Sequence, residues 1–244
     1  MFVDINCDVG EGFGNEADLF PLISSCNIAC GGHAGNSGSI KRLTVLSKAY
    51  HLKVGAHPSY PDRDNFGRIT VQISRNQLIA SIREQLAVIT SILREEGVNL
   101  HHIKPHGALY NDIASDAVLA EIFLEAIENF KTDTLLYVPY NSEIERLALS
   151  KSFIISREAF GDRNYNDDLS LVSRSKQHAL IEKPREVLQH ILAIVKDQKV
   201  KTITGKLVDI KADTICIHGD TPTAVDILEY LSRELGKYNI GILK

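Results

Sequence analysis

No apolar run in these 244 residues is long enough to span a bilayer, and no run of Lys and Arg is long enough to form a basic arm. With 27 basic against 31 acidic residues the formal net charge is -4, which argues against an electrostatic hold on nucleic acid. A small molecule or another protein is the expected partner. The start, Met1-Phe2-Val3-Asp4, runs straight into a strand-like segment without the basic opening and apolar stretch of a signal peptide, so a cytoplasmic protein is expected. Cysteine is scarce: Cys7, Cys26, Cys30 and Cys216 show no two-residue spacing of the zinc-knuckle kind. Each lies in or beside an apolar run, where a thiol behaves as a small buried hydrophobe, and reduced thiols fit the same compartment. Nucleotide signatures are missing too. Gly10-Glu11-Gly12-Phe13-Gly14 has the wrong spacing for a dinucleotide fingerprint and no GxxxxGK[ST] string occurs, so the chain is not expected to bind ATP by itself.

What is present is alternation of strand and helix. Strand-like runs lie at Phe2 to Asn6, Cys26 to Cys30, Lys53 to His57, His101 to Lys104, Thr134 to Pro139, Ser152 to Ser156 and Thr214 to His218. Helical periodicity separates most of them. Ser74 and Gln77 form a capping box, Leu78, Ile82, Leu86, Ile89 and Leu93 follow at helical spacing, and Gly97 supplies the stop. Similar stripes run through Val118, Ile122, Ala126 and Ile127, and through Val187, Leu188, Ile191, Leu192 and Val195 after Pro184. Thr221-Pro222 reads as cap and first turn of a last helix carrying Val225, Leu228, Leu231 and Leu235. Parallel neighbours need crossover connections, so repeated strand-helix units imply a parallel sheet. About seven such units favour a single α/β domain closed as a barrel, with an open sheet as the alternative. Val200 to Thr204 and Lys206 to Ile210, around Gly205, read as an inserted hairpin.

Polar, titratable residues end these strands, where the loops of such folds converge on one face. Asp4, Asn6 and Asp8 alternate, so their side chains share a face; they either reach a barrel mouth or cap a strand end in solvent. His33, His57, His106 and His218 each end a strand or follow it closely, and neutral imidazole there can ligate a metal or shuttle protons. His51, His101, His102, His178 and His190 fall elsewhere and read as structural or surface residues. Lys104 faces the same way as His106 and is either an edge charge or an anchor for an anion, with Tyr110 and Asn111 completing the wall. Glu158, Asp162, Arg163 and Tyr165 cluster as a salt-bridge network or a substrate contact. Arg174 is the better candidate for a two-pronged grip on a carboxylate.

Taken together, Asp4-Ile5-Asn6-Cys7-Asp8-Val9-Gly10-Glu11-Gly12, Asn27 to Gly35, Gly55-Ala56-His57-Pro58, Phe66-Gly67-Arg68, Lys104 to Asn111, Phe160 to Arg163 and Cys216 to Asp220 resemble the LamB/YcsF family in order and over nearly the whole chain. Asn36, Ile69, Gly161 and Leu169 depart from its usual residues. The resemblance implies a seven-stranded β/α barrel of glycoside hydrolase/deacetylase type. It implies ATP-dependent hydrolysis of 5-oxo-L-proline to L-glutamate with the separate 5-oxoprolinase subunits B and C, the ATP being used by the complex; a homo-oligomer is compatible with it. In that scheme Asp8, with His57 or His106, activates water directly or through a divalent metal, for which Asp8, His57 and His106 match the aspartate and two histidines of related deacetylases. Asn6, His33, Lys104, Asp162, Arg163 and Arg174 contact substrate or its phosphoryl group, and His218 with Asp220 protonates the departing nitrogen. A stand-alone metal-dependent amidohydrolase or deacetylase and a non-catalytic lactam-binding component are the rival readings.

Overall fold

A computed structural model describes residues 1–244. Along β1 (Phe2–Val9), Val3, Ile5, Cys7 and Val9 point one way and Asp4, Asn6 and Asp8 the other, and both sets are buried. Polar-apolar alternation here marks two buried faces. The remaining strands are β2 (Ser25–Ala29), β3 (Lys53–His57), β4 (Leu100–Ile103), β5 (Leu135–Pro139), β6 (Ile155–Phe160), β7 (Lys199–Lys201), β8 (Leu207–Asp209), β9 (Thr214–Cys216) and β10 (Gly241–Ile242). Strands β1 to β6 pair in sequence, all parallel, and β9 pairs with both β6 and β1, closing a seven-stranded barrel. β7 and β8 form the inserted antiparallel hairpin around Gly205, and β10 adds a two-residue parallel pairing to the start of β1.

Inside the barrel, side chains hydrogen-bond across the strands instead of packing as hydrocarbon. Asp4 Oδ1 accepts from Ser25 Oγ (2.9 Å) and Thr214 Oγ1 (2.7 Å). One layer up, Asn27 Nδ2 donates to Asn6 Oδ1 (2.8 Å) and Asp8 Oδ1 (2.7 Å), and His102 Nε2 donates to Asn27 Oδ1 (2.5 Å). Buried polar groups survive in such a place only when paired, which is why they come as a network. The apolar core is the outer layer, where strand residues such as Ile5, Ile28 and Val138 meet the covering helices.

Those helices are α1 (Glu16–Leu19), α2 (Ser37–Ala49), α3 (Arg75–Glu95), α4 (Gly107–Ser115), α5 (Ala117–Ala126), α6 (Glu143–Ser150), α7 (Pro184–Asp197) and α8 (Ala224–Glu234). α3 begins with the expected capping box, and Gly97, at φ +66°, follows its end. Three expectations shift. α5 buries Ala120, Phe123 and Leu124 along with Ala126, and Ile127 after it, so the expected stripe holds at its carboxyl end while Val118 is exposed. Thr221 does not cap α8: its hydroxyl donates to Asp162 Oδ2 (2.9 Å), and the helix starts after Thr223. β6 covers Ile155–Phe160 rather than Ser152–Ser156, because its inward side chains include the charged Glu158, which pairs with Lys104.

Gly55 shows how tightly the interior is filled. It lies opposite His102 in the β3–β4 register, and a Cβ there would sit 2.1–2.4 Å from the His102 ring, which is itself stacked on Tyr137 at 4.0 Å. Gly55→Ala is therefore expected to lose about 1–3 kcal/mol of stability, the usual cost of overpacking. Urea denaturation measures it; a variant as stable as the parent would mean that His102 has somewhere else to go.

Candidate active site

A pocket of about 600 Å³ opens at the carboxyl-terminal end of the barrel. Its floor is Lys104, just past β4 and only 2% exposed, whose Nζ lies 2.9 Å from Asp8 Oδ1, 2.9 Å from Glu158 Oε1 and 3.0 Å from Cys216 Sγ. Burial works against the lysine's charge, but Asp8 and Glu158 outweigh it and hold the ammonium pKa well above its ordinary value. Burial likewise raises the Asp8 carboxyl, yet His57 and Lys104 facing it bring it well below the usual carboxylate range. Asp8 Oδ1 is taken by Lys104 and Asn27, which leaves Oδ2 turned to His57 Nε2 at 3.5 Å.

A ring of histidines stands beside this floor. His57 ends β3 and donates from Nδ1 to the Lys104 carbonyl (2.7 Å). His106, at the start of α4, donates from Nε2 to the Phe66 carbonyl (3.0 Å), and its Nδ1 lies 2.9 Å from His57 Nε2. Phe66 adopts φ +56° to present that carbonyl, and Gly67 follows it because a Cβ would meet His33 and His106 at 2.9–3.0 Å. His33 stacks on His106 with ring centroids 3.6 Å apart and reaches Glu11 Oε1 through Nε2 (3.0 Å). Burial, reinforced by neighbouring imidazoles, lowers the pKa of His33 and His106 and favours neutral rings. Burial and then the Asp8 charge push the Glu11 carboxyl up to about 7.

The rim carries the other polar groups. Asp162, fully buried after β6, accepts from the His218 ring Nδ1 (2.9 Å), the His218 backbone N–H (3.0 Å) and Thr221. Burial raises its carboxyl, but the facing His218 and these hydrogen bonds bring it down to about 2. Asp220 is gripped by Arg174 (2.9 and 3.3 Å) and by Arg68 (2.5 Å). Three loops thus meet on one carboxylate.

Asp8, His57, Lys104, His106, His218, Arg163 and Arg174 all line the pocket. Several expected roles take another form. Asn6 is fully buried with every hydrogen-bonding atom engaged, its amide on Glu158 and Thr214 and its oxygen on Asn27 and Lys104, so it positions the floor and has nothing left for a ligand. His33 lies behind His106. The partner of His218 is Asp162, and Asp220 belongs to the arginines. Arg163 leaves the adjacent Asp162 and donates to the carbonyls of Val172 (2.7 Å) and Ala179 (3.4 Å), bracing the loop after β6. Tyr165 does the same, accepting from the Phe160 N–H (2.7 Å). Of the expected metal donors, His57 and His106 come together and Asp8 turns Oδ2 to His57 Nε2 (3.5 Å) while its Oδ1 is bound to Lys104; a second carboxylate, Glu11, lies beside both rings. Glu11 and the barrel partners Asn27 and His102 were not legible as site residues; a carboxylate between Gly10 and Gly12, directly after an inward-facing strand, was the available signal for the first.

The same strings recur in known proteins. A relative from Pyrococcus horikoshii, named as the A subunit of 5-oxoprolinase, is 37% identical over 248 residues, covering 100% of this chain and 97% of its own length. One of the same name from Haemophilus influenzae (strain PittEE) is 38% identical over 240 residues, 98% of each chain. The crystal structure of a lactam utilization protein from Thermus thermophilus superposes with a TM-score of 0.92 at 34% identity, covering 100% of this chain and 99% of that one. The LamB/YcsF family model matches residues 3–244, which takes in every strand of the barrel and every polar group described above, and the chain belongs to that family.

Proposed function

We propose that this chain is the ring-opening component of an ATP-dependent 5-oxoprolinase, converting 5-oxo-L-proline to L-glutamate in the cytoplasm together with partner subunits B and C. The names of its full-length relatives support this, and the observation that carries it is the convergence of a buried ammonium, a carboxylate and imidazoles from separate strand ends on one pocket. The lactam is a resonance-stabilised amide in an unstrained ring, so water alone opens it slowly. Phosphorylation of its oxygen by ATP on the partner subunits makes the ring carbon electrophilic. Water then adds at that carbon, its proton passing to Asp8 Oδ2, the oxygen free of Lys104. A carboxylate with so low a pKa is a weak base, and activation of the carbon is what makes a weak base sufficient. Lys104, its donors engaged by Asp8, Glu158 and Cys216, would act on the phosphoryl group or developing oxyanion as a fixed positive charge at the pocket floor. Arg174 and Arg68, which converge on Asp220, would hold the substrate carboxylate.

The tetrahedral carbon now bears a hydroxyl, a phosphorylated oxygen and the ring nitrogen. Loss of phosphate would return the lactam and waste the ATP. Loss of the nitrogen opens the ring and leaves an acyl phosphate, which a second water converts to glutamate and phosphate. Protonation of nitrogen decides between them, and His218, oriented by Asp162, supplies that proton. A divalent ion, if held at the histidine ring, would acidify a coordinated water.

Two outcomes check this account. In the reconstituted three-subunit enzyme, His218→Gln should lower glutamate formation roughly 100-fold while ATP hydrolysis falls much less, so that phosphate released per glutamate rises; an unchanged ratio removes His218 from the protonation step. Because the Asp162 carboxyl is lowered from 3.8 to about 2 in the fold, its stabilisation is complete above pH 4 and is lost as pH falls from there towards 2. That is about 2 kcal/mol, and Asp162→Asn should flatten the stability profile across that window, as followed by denaturation at graded pH.

A further inference from the structure

We infer that Glu11, His33, His57 and His106 form a binding site for one divalent transition-metal ion, with three imidazole nitrogens and one carboxylate oxygen as ligands and with Asp8 outside the set. Proton bookkeeping leads there. The Lys104 and Phe66 carbonyls can only accept, so the ring protons of His57 and His106 are fixed on Nδ1 and Nε2 respectively. With both rings neutral, the form in which they can ligate, each ring's other nitrogen presents a lone pair, and these two lone pairs face each other across 2.9 Å. Two acceptors cannot bond to one another. A third acceptor, Glu11 Oε1, adds to the crowd at 3.3 Å from His106 Nδ1 and 3.9 Å from His57 Nε2, with His33 Nε2 3.0 Å away on its other side.

All four atoms lie within 4.8 Å of one another, in a region of buried rings. Ligands about 2.1 Å from a tetrahedral ion stand roughly 3.4 Å apart, and the measured separations straddle that value. A single shared proton would satisfy one of these contacts and leave the others. The surroundings also match a built site: backbone carbonyls set the tautomers of two ligands, as outer partners of metal-bound histidines do, and the Phe66 edge packs against His33 (5.3 Å) and His106 (5.5 Å). His33 reaches the cluster through Nε2, and its Nδ1 is buried without a partner, so no carbonyl sets its tautomer as one does for His57 and His106. Imidazole with one carboxylate selects zinc, cobalt, nickel or iron over magnesium and calcium. Asp8 is left outside the set because its Oδ1 is shared by Lys104 and Asn27 and, although its Oδ2 comes within 3.5 Å of His57 Nε2, it does not share the 4.8 Å cluster that Glu11, His33, His57 and His106 form.

Binding can be measured without substrate, ATP or partners, so this inference and the lactam reading stand or fall separately. Chelator-stripped protein would be titrated with Zn(II) in a calorimeter and with Co(II) in a visible spectrophotometer. The expected result is about one ion per chain and d–d bands of a four- or five-coordinate Co(II) with nitrogen ligands. Glu11→Gln, nearly isosteric, should weaken binding at least tenfold and alter the cobalt spectrum, and His106→Ala should do the same or more. Asp8→Asn should keep one ion per chain with less than a tenfold change. Absence of saturable binding by the parent protein overturns the inference, as does loss of the ion in Asp8→Asn with normal affinity in Glu11→Gln.

Discussion

The ammonium of Lys104, buried between Asp8 and Glu158, is the constraint on which the rest of the barrel end depends. An unpaired ammonium in that position would cost several kcal/mol in desolvation, so the barrel must supply carboxylates, and carboxylates need donors in turn. Asn6 supplies one to Glu158, Asn27 supplies one to Asp8, and His102 then donates to Asn27. Satisfying one charge has filled the barrel with polar side chains. The hydrocarbon that stabilises the fold is pushed to the layer between strands and helices, where 59 buried apolar residues form one continuous cluster.

That interior also ties the two halves of the site together. The Lys104 side chain fixes Asp8, while the carbonyl of the same residue fixes the tautomer of His57. Asp8 keeps one oxygen on the lysine and turns the other to His57, so it stands at the boundary between a charge-paired floor and a ring of imidazoles in which burial favours the neutral form of His33 and His106. A displacement of Lys104 would be felt at both places. Such coupling explains why the residues are buried before any ligand arrives: their geometry is set by each other, which is the arrangement a preorganised site requires.

Much of this is readable in the chain. Asp4, Asn6 and Asp8 at two-residue spacing announce an inward polar face, and Lys104 and His106 meet at one pocket as their spacing implies. Three particulars are hidden, each for a tertiary reason. Glu11 follows Gly10 at φ +79°, a turn whose direction no local pattern specifies. Asp162 sits next to Arg163 in sequence, but their side chains part, one to His218 and the other to loop carbonyls. Sequence pattern alone displaces β6 towards Ser152, because Ser156, Arg157 and Glu158 lower its apparent β character; the strand exists because Glu158 has a buried cation to meet.

The charges are layered by depth, and the layering bears on how an anion would enter. At the floor, two carboxylates face one ammonium and the balance is negative. At the rim, two guanidinium groups face the single carboxylate of Asp220 and the balance is positive. A molecule carrying a carboxylate at one end and an electrophilic ring carbon at the other is drawn by the rim and, at the floor, repelled everywhere except at Lys104. Its anionic end would therefore be held outward and its ring directed inward to Asp8 and the imidazoles. Arg68 and Arg174 come from the loops after β3 and β6, whereas Asp220 follows β9, so an incoming carboxylate competes with Asp220 for partners that already point at one position. Orientation follows from charge order along the pocket axis, before any contact specific to the ring is made.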